Sequence, residues 1–221
     1  MSPEIIRLIA QATLDTLAMV AAAVSFGTLI GLPAGVFLAV SKAGELVPAP
    51  RLNAALGALV NAVRSTPFII LVVAIIPFTR LVVGTSIGTT ASIVPLTLAC
   101  APFIARIVEA AIREVDQGLV EASRSMGATP FQIMRKVLMP EALPAIVLGL
   151  TLAIVSLIGF SAMVGAVGGG GLGDLGIRYG YQRFMPDVMA TVVVVLIVLV
   201  QGVQSLGDRL ARRFNKRLRQ S

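Results

Sequence analysis

Residues 142–173 read ALPAIVLGLTLAIVSLIGFSAMVGAVGGGGLG, a run without one charged side chain. At about 1.5 Å per residue, a helix of this length exceeds the roughly 30 Å hydrocarbon core of a bilayer. The apolar residues follow one another without the alternation of a barrel strand, which needs only about 10 residues. The stretch therefore decides the class: helical and membrane-spanning. Working outward, charges punctuate the chain into four more windows. Asp15 and Lys42 bracket 16–41, and Arg64 and Arg80 bracket 65–79, which extends backward through Ala54–Val63. Windows at 81–105 and 188–207 complete the set. The expected fold is all-α and integral to the membrane, a single transmembrane domain over 1–221. Its spans fall near 14–41, 56–79, 81–107, 143–167 and 188–207, with a loop over 113–141.

The composition agrees. Of 221 residues, 57% are hydrophobic and 13% charged, and mean hydropathy is +0.93. Soluble domains average about 45–50% apolar and about 25% charged. A disordered chain is ruled out and a water-soluble domain is disfavoured. The net charge of +7 reads as positive-inside topology rather than a nucleic-acid footprint. With no His and one Cys, Cys100, the chain lacks intrachain disulfides, the usual zinc sets and any Ser–His or Cys–His nucleophile. The first window exceeds a signal-peptide core, and no small-residue cleavage site follows a basic start, so it reads as an uncleaved span.

Five crossings put the termini on opposite sides. The tail carries Arg209, Arg212, Arg213, Lys216, Arg217 and Arg219, which places it inside. Lys42, Arg51, Arg64, Arg106, Arg113, Arg124, Arg135 and Lys136 then also lie inside, while Arg7, Arg80, Arg178 and Arg183 lie outside. Moving the boundary by one span reverses the bias, so span count and charge asymmetry support each other. The expected orientation is N-terminus out, C-terminus in.

Some residues carry two readings. Arg64 is either an interfacial anchor that snorkels or a partner for an acid or a substrate carboxylate. Gly27, Gly31 and Gly35 form a tandem GxxxG, for packing within the bundle or against another subunit. Pro33 should kink that helix. Gly168, Gly170 and Gly173 satisfy GxGxxG formally. A dinucleotide fingerprint, however, needs a preceding strand in a βαβ unit, and this run ends a membrane span. It reads as a flexible or closely packed turn. No GxxxxGK[ST] phosphate loop is present.

From Arg106 to Pro144 the character changes. Arg106, Arg113, Arg124, Arg135 and Lys136 balance Glu109, Glu114, Asp116, Glu121 and Glu141, as in a solvated folded element. Glu109 and Arg113 stand in the favourable i,i+4 order. Leu119, Ala122 and Met126 form an apolar stripe, and Gly127 suits a helix end. Thr129 can cap a second helix with Pro130 at its first position and Gln132 closing a capping box. Pro140 is expected to end that helix and Pro144 to open the next span. Two short helices and a tight turn outside the bilayer make a docking knob.

Glu121-Ala122-Ser123, then Gly127, then Val137-Leu138-Met139-Pro140 resembles the EAA loop of the permeases of ABC importers. That pattern has Ala at Ser123, Ile at Val137 and Leu at Met139, and these replacements are mild in size. Arg64-Ser65-Thr66-Pro67-Phe68-Ile69-Ile70, Ile76-Pro77-Phe78-Thr79-Arg80, Pro102-Phe103-Ile104-Ala105-Arg106, Gly168-Gly169-Gly170-Gly171-Leu172-Gly173 and Arg178-Tyr179-Gly180-Tyr181 resemble the methionine-uptake branch of that family. The likeness runs over nearly the whole chain.

The resemblance implies a type I importer permease of the bacterial inner membrane, a transport subunit and not an enzyme. ATP and Mg would sit on a separate cytoplasmic ATPase, with no cofactor in this chain. Glu121, Ala122, Ser123, Arg124, Gly127 and Pro140 would couple to that ATPase. Specificity would reside in an external methionine-binding protein. Five helices are few to enclose a polar passage, which together with the family points to two copies of this chain and two ATPases. Lining candidates are Phe160, Ser161 and Met163, where small and polar residues interrupt a greasy span; Met163 reads either as a pliable gate or as core filler. Membrane lipid is the remaining partner, and nucleic acid is not one. Two alternatives differ in their signatures. A permease for another small solute differs only in its binding protein. A self-sufficient secondary transporter needs intramembrane acids, which these spans lack.

Overall fold

A computed structural model describes residues 2–214; Met1 and the tail from 215, including Lys216, Arg217 and Arg219, lie outside the described residues. The first helix, α1 (Pro3–Val40), starts eleven residues before the expected span. Ser2 caps it by accepting the Ile5 N–H, with Pro3 and Glu4 in the first turn. The early turns are retained because Ile9 and Ala12 are buried with Leu172, Leu175, Val188 and Val192. Pro33 lies inside α1 without ending it.

The central partner of α1 is α5 (Thr89–Arg113). Gly27, Gly31 and Gly35 all face it. A methyl carbon placed on Gly27 would lie 2.7 Å from Cys100 Sγ, and one on Gly31 2.5 Å from the Ala101 carbonyl oxygen. Gly35 meets the Ala105 carbonyl in the same way. In lipid the driving force for helix association is close packing itself, so deleting side chains along this stripe brings two backbones together. The glycine stripe is thus occupied within the chain.

The order of these contacts fixes the direction. Gly27, Gly31 and Gly35 meet α5 at successively later residues, so α1 and α5 run parallel. Two parallel neighbours need a return between them, and residues 41–88 supply it. That return is not one rod. α2 (Pro50–Ser65) and α3 (Phe68–Ala74) are bent by 102° at Thr66–Pro67, and α4 (Ile76–Val83) follows. Pro67 has no N–H and drives Thr66 into the extended region, φ −81° and ψ 125°. The break leaves few groups bare: Thr66 N–H donates to Val63 O, and Thr66 Oγ1 donates to Ala62 O at 3.1 Å. The third window likewise begins later than expected. α4 ends at Val83, capped by Gly84, and the next long helix starts only at Thr89.

Two short helices, α6 (Gln117–Ser125) and α7 (Pro130–Ile133), follow α5. Met134–Leu138 is a wide π-helical turn leading directly into α8 (Met139–Ala166). Helix is therefore unbroken from Pro130 to Ala166, and the expected stop at Pro140 is not found. A proline in an α-helix clashes with the carbonyl four residues back; the wide turn, in which Met139 N–H reaches Met134 O, displaces that carbonyl. A compact segment, α9 (Gly171–Leu175) and a second wide turn (Gly176–Gln182), leads to α10 (Pro186–Phe214).

The chain traverses the bundle's length five times. Four single helices are long and apolar enough to cross a membrane, and the bent α2–α3 pair makes a fifth candidate. Leu14, Phe26, Leu29, Leu81, Val194 and Val198 stand bare on the outside. Exposed apolar area on that scale calls for hydrocarbon, not water, as solvent.

Candidate functional site

The elbow between α5 and α8 is built by its caps. Asp116 Oδ1 accepts the Gly118 N–H at 2.8 Å to start α6. Gly127 takes φ +78°, a left-handed conformation that most side chains resist, and its N–H donates to Arg124 O at 2.9 Å. Thr129 and Gln132 form the full capping box that opens α7. Val115, Val120, Ile133 and Leu138 turn inward and join the main core.

The apolar stripe has the opposite orientation to a core stripe. Leu119 and Ala122 are exposed, Met126 is 80% exposed, and Phe131 on the following helix, α7, is bare as well. Glu121 and Arg124 are also exposed. Val120 and Ser123 occupy the inner face instead. Ser123 is buried, and its Oγ donates to Leu119 O at 2.7 Å, so it supports the helix from beneath and does not reach outward. Pro140 is exposed and lies within the continuous helix, just past the wide turn.

At the opposite end the glycine run is a closely packed turn. Gly88 N–H donates to Gly168 O and Ser92 Oγ to Gly169 O, each at 2.9 Å. Leu172 N–H donates to the buried Thr16 Oγ1 at 2.9 Å. No strand precedes it among the described residues, so the nucleotide-fingerprint geometry is absent.

Between the ends lies a cavity of about 480 Å³. Its wall includes Pro67 and Phe68 from the break, Cys100 and Phe103 from α5, and Phe160 and Met163 from α8. Phe68 and Phe160 stack, with ring centroids 4.4 Å apart. Arg64, in the last turn of α2, borders it. Phe160 and Met163 share a helix face at i,i+3 spacing. Ser161 does not join them: it is buried, its Oγ donating to Ile158 O at 2.7 Å.

A polar cluster at the elbow end reaches well beyond the Glu109–Arg113 pair that the sequence marks. Glu109 is 4% exposed and binds two guanidiniums, Arg106 and Arg113, the latter at 2.7 Å. Arg106 Nη2 donates onward to Gly57 O at 3.0 Å and Asn61 Oδ1 at 2.8 Å. Arg113 Nη2 donates to Leu38 O at 3.2 Å, which also accepts from Asn53 Nδ2 at 2.9 Å. The Glu109–Arg113 spacing was legible, but as a solvated surface pair. The missed signal lies in α2, where Asn53, Gly57 and Asn61 recur every four residues and so share one helix face.

The model of the family "binding-protein-dependent transport system inner membrane component" matches residues 31–220. The chain belongs to that family. A probable D-methionine transport system permease of Vibrio cholerae is 57% identical over 210 residues, covering 95% of this chain and 93% of the relative. The D-methionine transport system permease of Escherichia coli K12 is 53% identical over 165 residues, 75% of this chain and 76% of that one. A solved structure described as inward-facing conformations of the MetNI methionine ABC transporter superposes with a TM-score of 0.95. It is 51% identical and covers 98% of this chain and all of that one. The crystal structure of an amino acid ABC transporter, 23% identical with a TM-score of 0.78, shares the fold. This inner-membrane component therefore has its elbow, cavity and polar cluster within a shared type I importer fold, and the family match spans all three.

Proposed function

We propose that this chain is the membrane-spanning permease subunit of an ATP-driven importer that moves methionine, delivered by an external binding protein, into a bacterial cell. The observation that carries the reading is the elbow: Leu119, Met126 and Phe131 are bare beside Glu121 and Arg124 on a capped, rigid projection. Such a face suits the groove of a cytoplasmic ATPase, which binds the ATP and Mg. Two permease copies and two ATPases complete the assembly, in a lipid bilayer with the N-terminus outside and the C-terminus inside.

The roles follow from the chemistry of each residue. Met126 and Leu119 supply apolar anchorage, Glu121 and Arg124 supply charged contacts at its edge, and Ala122 keeps the surface low. Gly127 holds the turn. Ser123 and Pro140 act behind the contact, the first by packing and the second by shaping the wide turn. Closure of the ATPases moves the elbow as a rigid body and rocks the attached spans. Met163 gates the passage: two pliable thioethers meet across a twofold axis and part cheaply. Arg64 stands ready for the substrate carboxylate at the cavity edge.

The test is ATP-driven uptake in proteoliposomes holding this chain, its ATPase and the binding protein. Methionine uptake above that of other amino acids and of a quaternary amine is expected; uptake without ATP would overturn the reading. Met163→Ala should raise passive methionine leak severalfold while the complex still assembles, and unchanged leak and coupling would remove the gate.

A further inference from the structure

The polar cluster around Glu109 is built on a buried carboxylate that the transport steps above leave unused. One nearly buried carboxylate lies between two guanidiniums that keep part of their surface exposed and bond onward to Gly57 O, Asn61 and Leu38 O. Burying such charges is unfavourable unless they are paired and hydrogen-bonded, and replacement by apolar residues is often neutral or better. The cluster therefore needs a reason other than stability.

Its reach supplies one. Through Arg106 it grips α2 at Gly57 and Asn61, and through Arg113 it grips the end of α1 at Leu38. Arg113 is the last residue of α5, and Asp116, three residues on, caps the elbow helix. At its other end α2 stops at the Thr66–Pro67 break, where Pro67 and Phe68 enter the cavity wall. The same bracket thus touches the helix that carries the elbow and the helix that leads to the cavity. The contacts between α2 and α5 otherwise rest on small residues and short apolar chains such as Val60 and Ala105.

We infer that Glu109 is a positioning residue for transport: by holding Arg106 and Arg113 together it locks α2 to the elbow-bearing end of α5, so that elbow movement is delivered to the cavity. Removing its charge leaves two adjacent guanidiniums that repel, and Arg106 releases α2. The elbow still follows the ATPase, and the wall on α8 moves with it, but the wall at the end of α2, Pro67 and Phe68, no longer follows. This inference rests on the function proposed above and adds a route for its coupling.

The experiment uses the whole complex of permease, ATPase and binding protein in proteoliposomes, with ATP hydrolysis and methionine uptake measured on the same vesicles. Glu109→Gln should lower methionine imported per ATP hydrolysed about tenfold, within the range usual for site-to-site coupling, while hydrolysis itself persists. Asn61→Ala removes one tie at an exposed position without leaving a buried charge, and should lower the same ratio by a smaller factor, about threefold. Glu109→Asp, which keeps the charge, should recover part of the loss. No ATP-driven uptake by the unaltered complex overturns the functional reading and this inference with it. Normal uptake there with uptake and hydrolysis falling in parallel in Glu109→Gln overturns the inference alone. Should Glu109→Gln fail to assemble, an unchanged ratio in Asn61→Ala does the same.

Discussion

The seam between α1 and α5 and the elbow between α5 and α8 are opposite solutions to one problem, how to place apolar surface. Along the seam side chains are removed: Gly31 and Gly35 let carbonyls of α5 come within contact of a neighbouring backbone, and Gly27 makes room for the Cys100 side chain. At the elbow side chains are kept and left bare: Leu119, Met126 and Phe131 are exposed on short helices whose inner faces are already filled. A surface complete within the chain needs nothing more. A surface of large apolar residues on a capped projection is complete only against something else.

The sharpest way to break that contrast is to fill the seam. Gly31→Leu would drive a side chain into Ala101 O and Ile104. It should destabilise the protein by about 3 kcal/mol, the upper end of ordinary overpacking, read as a large drop in melting temperature in mild detergent. Melting like the parent would mean the helices are not in close contact. The elbow should behave the other way. Met126→Asp should leave melting of the isolated chain nearly unchanged but weaken association with the ATPase by about 2 kcal/mol, the threshold for an interface anchor. Pull-down and ATPase titration measure it; unaltered association would show that the bare face is not the contact. Smallest is Ser123→Ala, on the inner face of the same helix. It loses one hydroxyl bond to Leu119 O and should shift stability by under about 0.5 kcal/mol, with uptake per ATP unchanged. A large loss of coupling there would put Ser123 back in the contact surface.

Much of this was legible because lipid imposes simple rules. Charges cannot be scattered within a span, so Asp15, Lys42 and Arg80 mark window edges, and the helix candidates coincide with most of those windows. The elbow's caps were legible for the same local reason: Gly127, Thr129 and Gln132 act on neighbours within four residues. The failures are all non-local or geometric. Pro140 reads as a stop, yet a wide turn absorbs it, and no residue type announces a wide turn. The stripe Leu119, Ala122 and Met126 was evident as a stripe, but which side of α6 faces the core depends on where Val115 and Ile133 arrive from either flank. Ser161 looked like a lining residue because it is polar; a bond to Ile158 O lets it be buried instead. Glu109 looked like a surface acid because Asn61 and Leu38, the far members of its cluster, are distant in sequence.

The wide turn at Met134–Leu138 has one mechanical outcome. Because it keeps the helix whole across Pro140, the foot of the elbow and the wall bearing Met163 belong to a single shaft of 37 residues. At about 1.5 Å per residue that shaft is about 55 Å long, so tilting its foot by about 5° sweeps the far tip by about 5 Å. A sweep of that size is on the scale of an amino-acid side chain, which means that a small nudge from below is magnified before it reaches the opposite face.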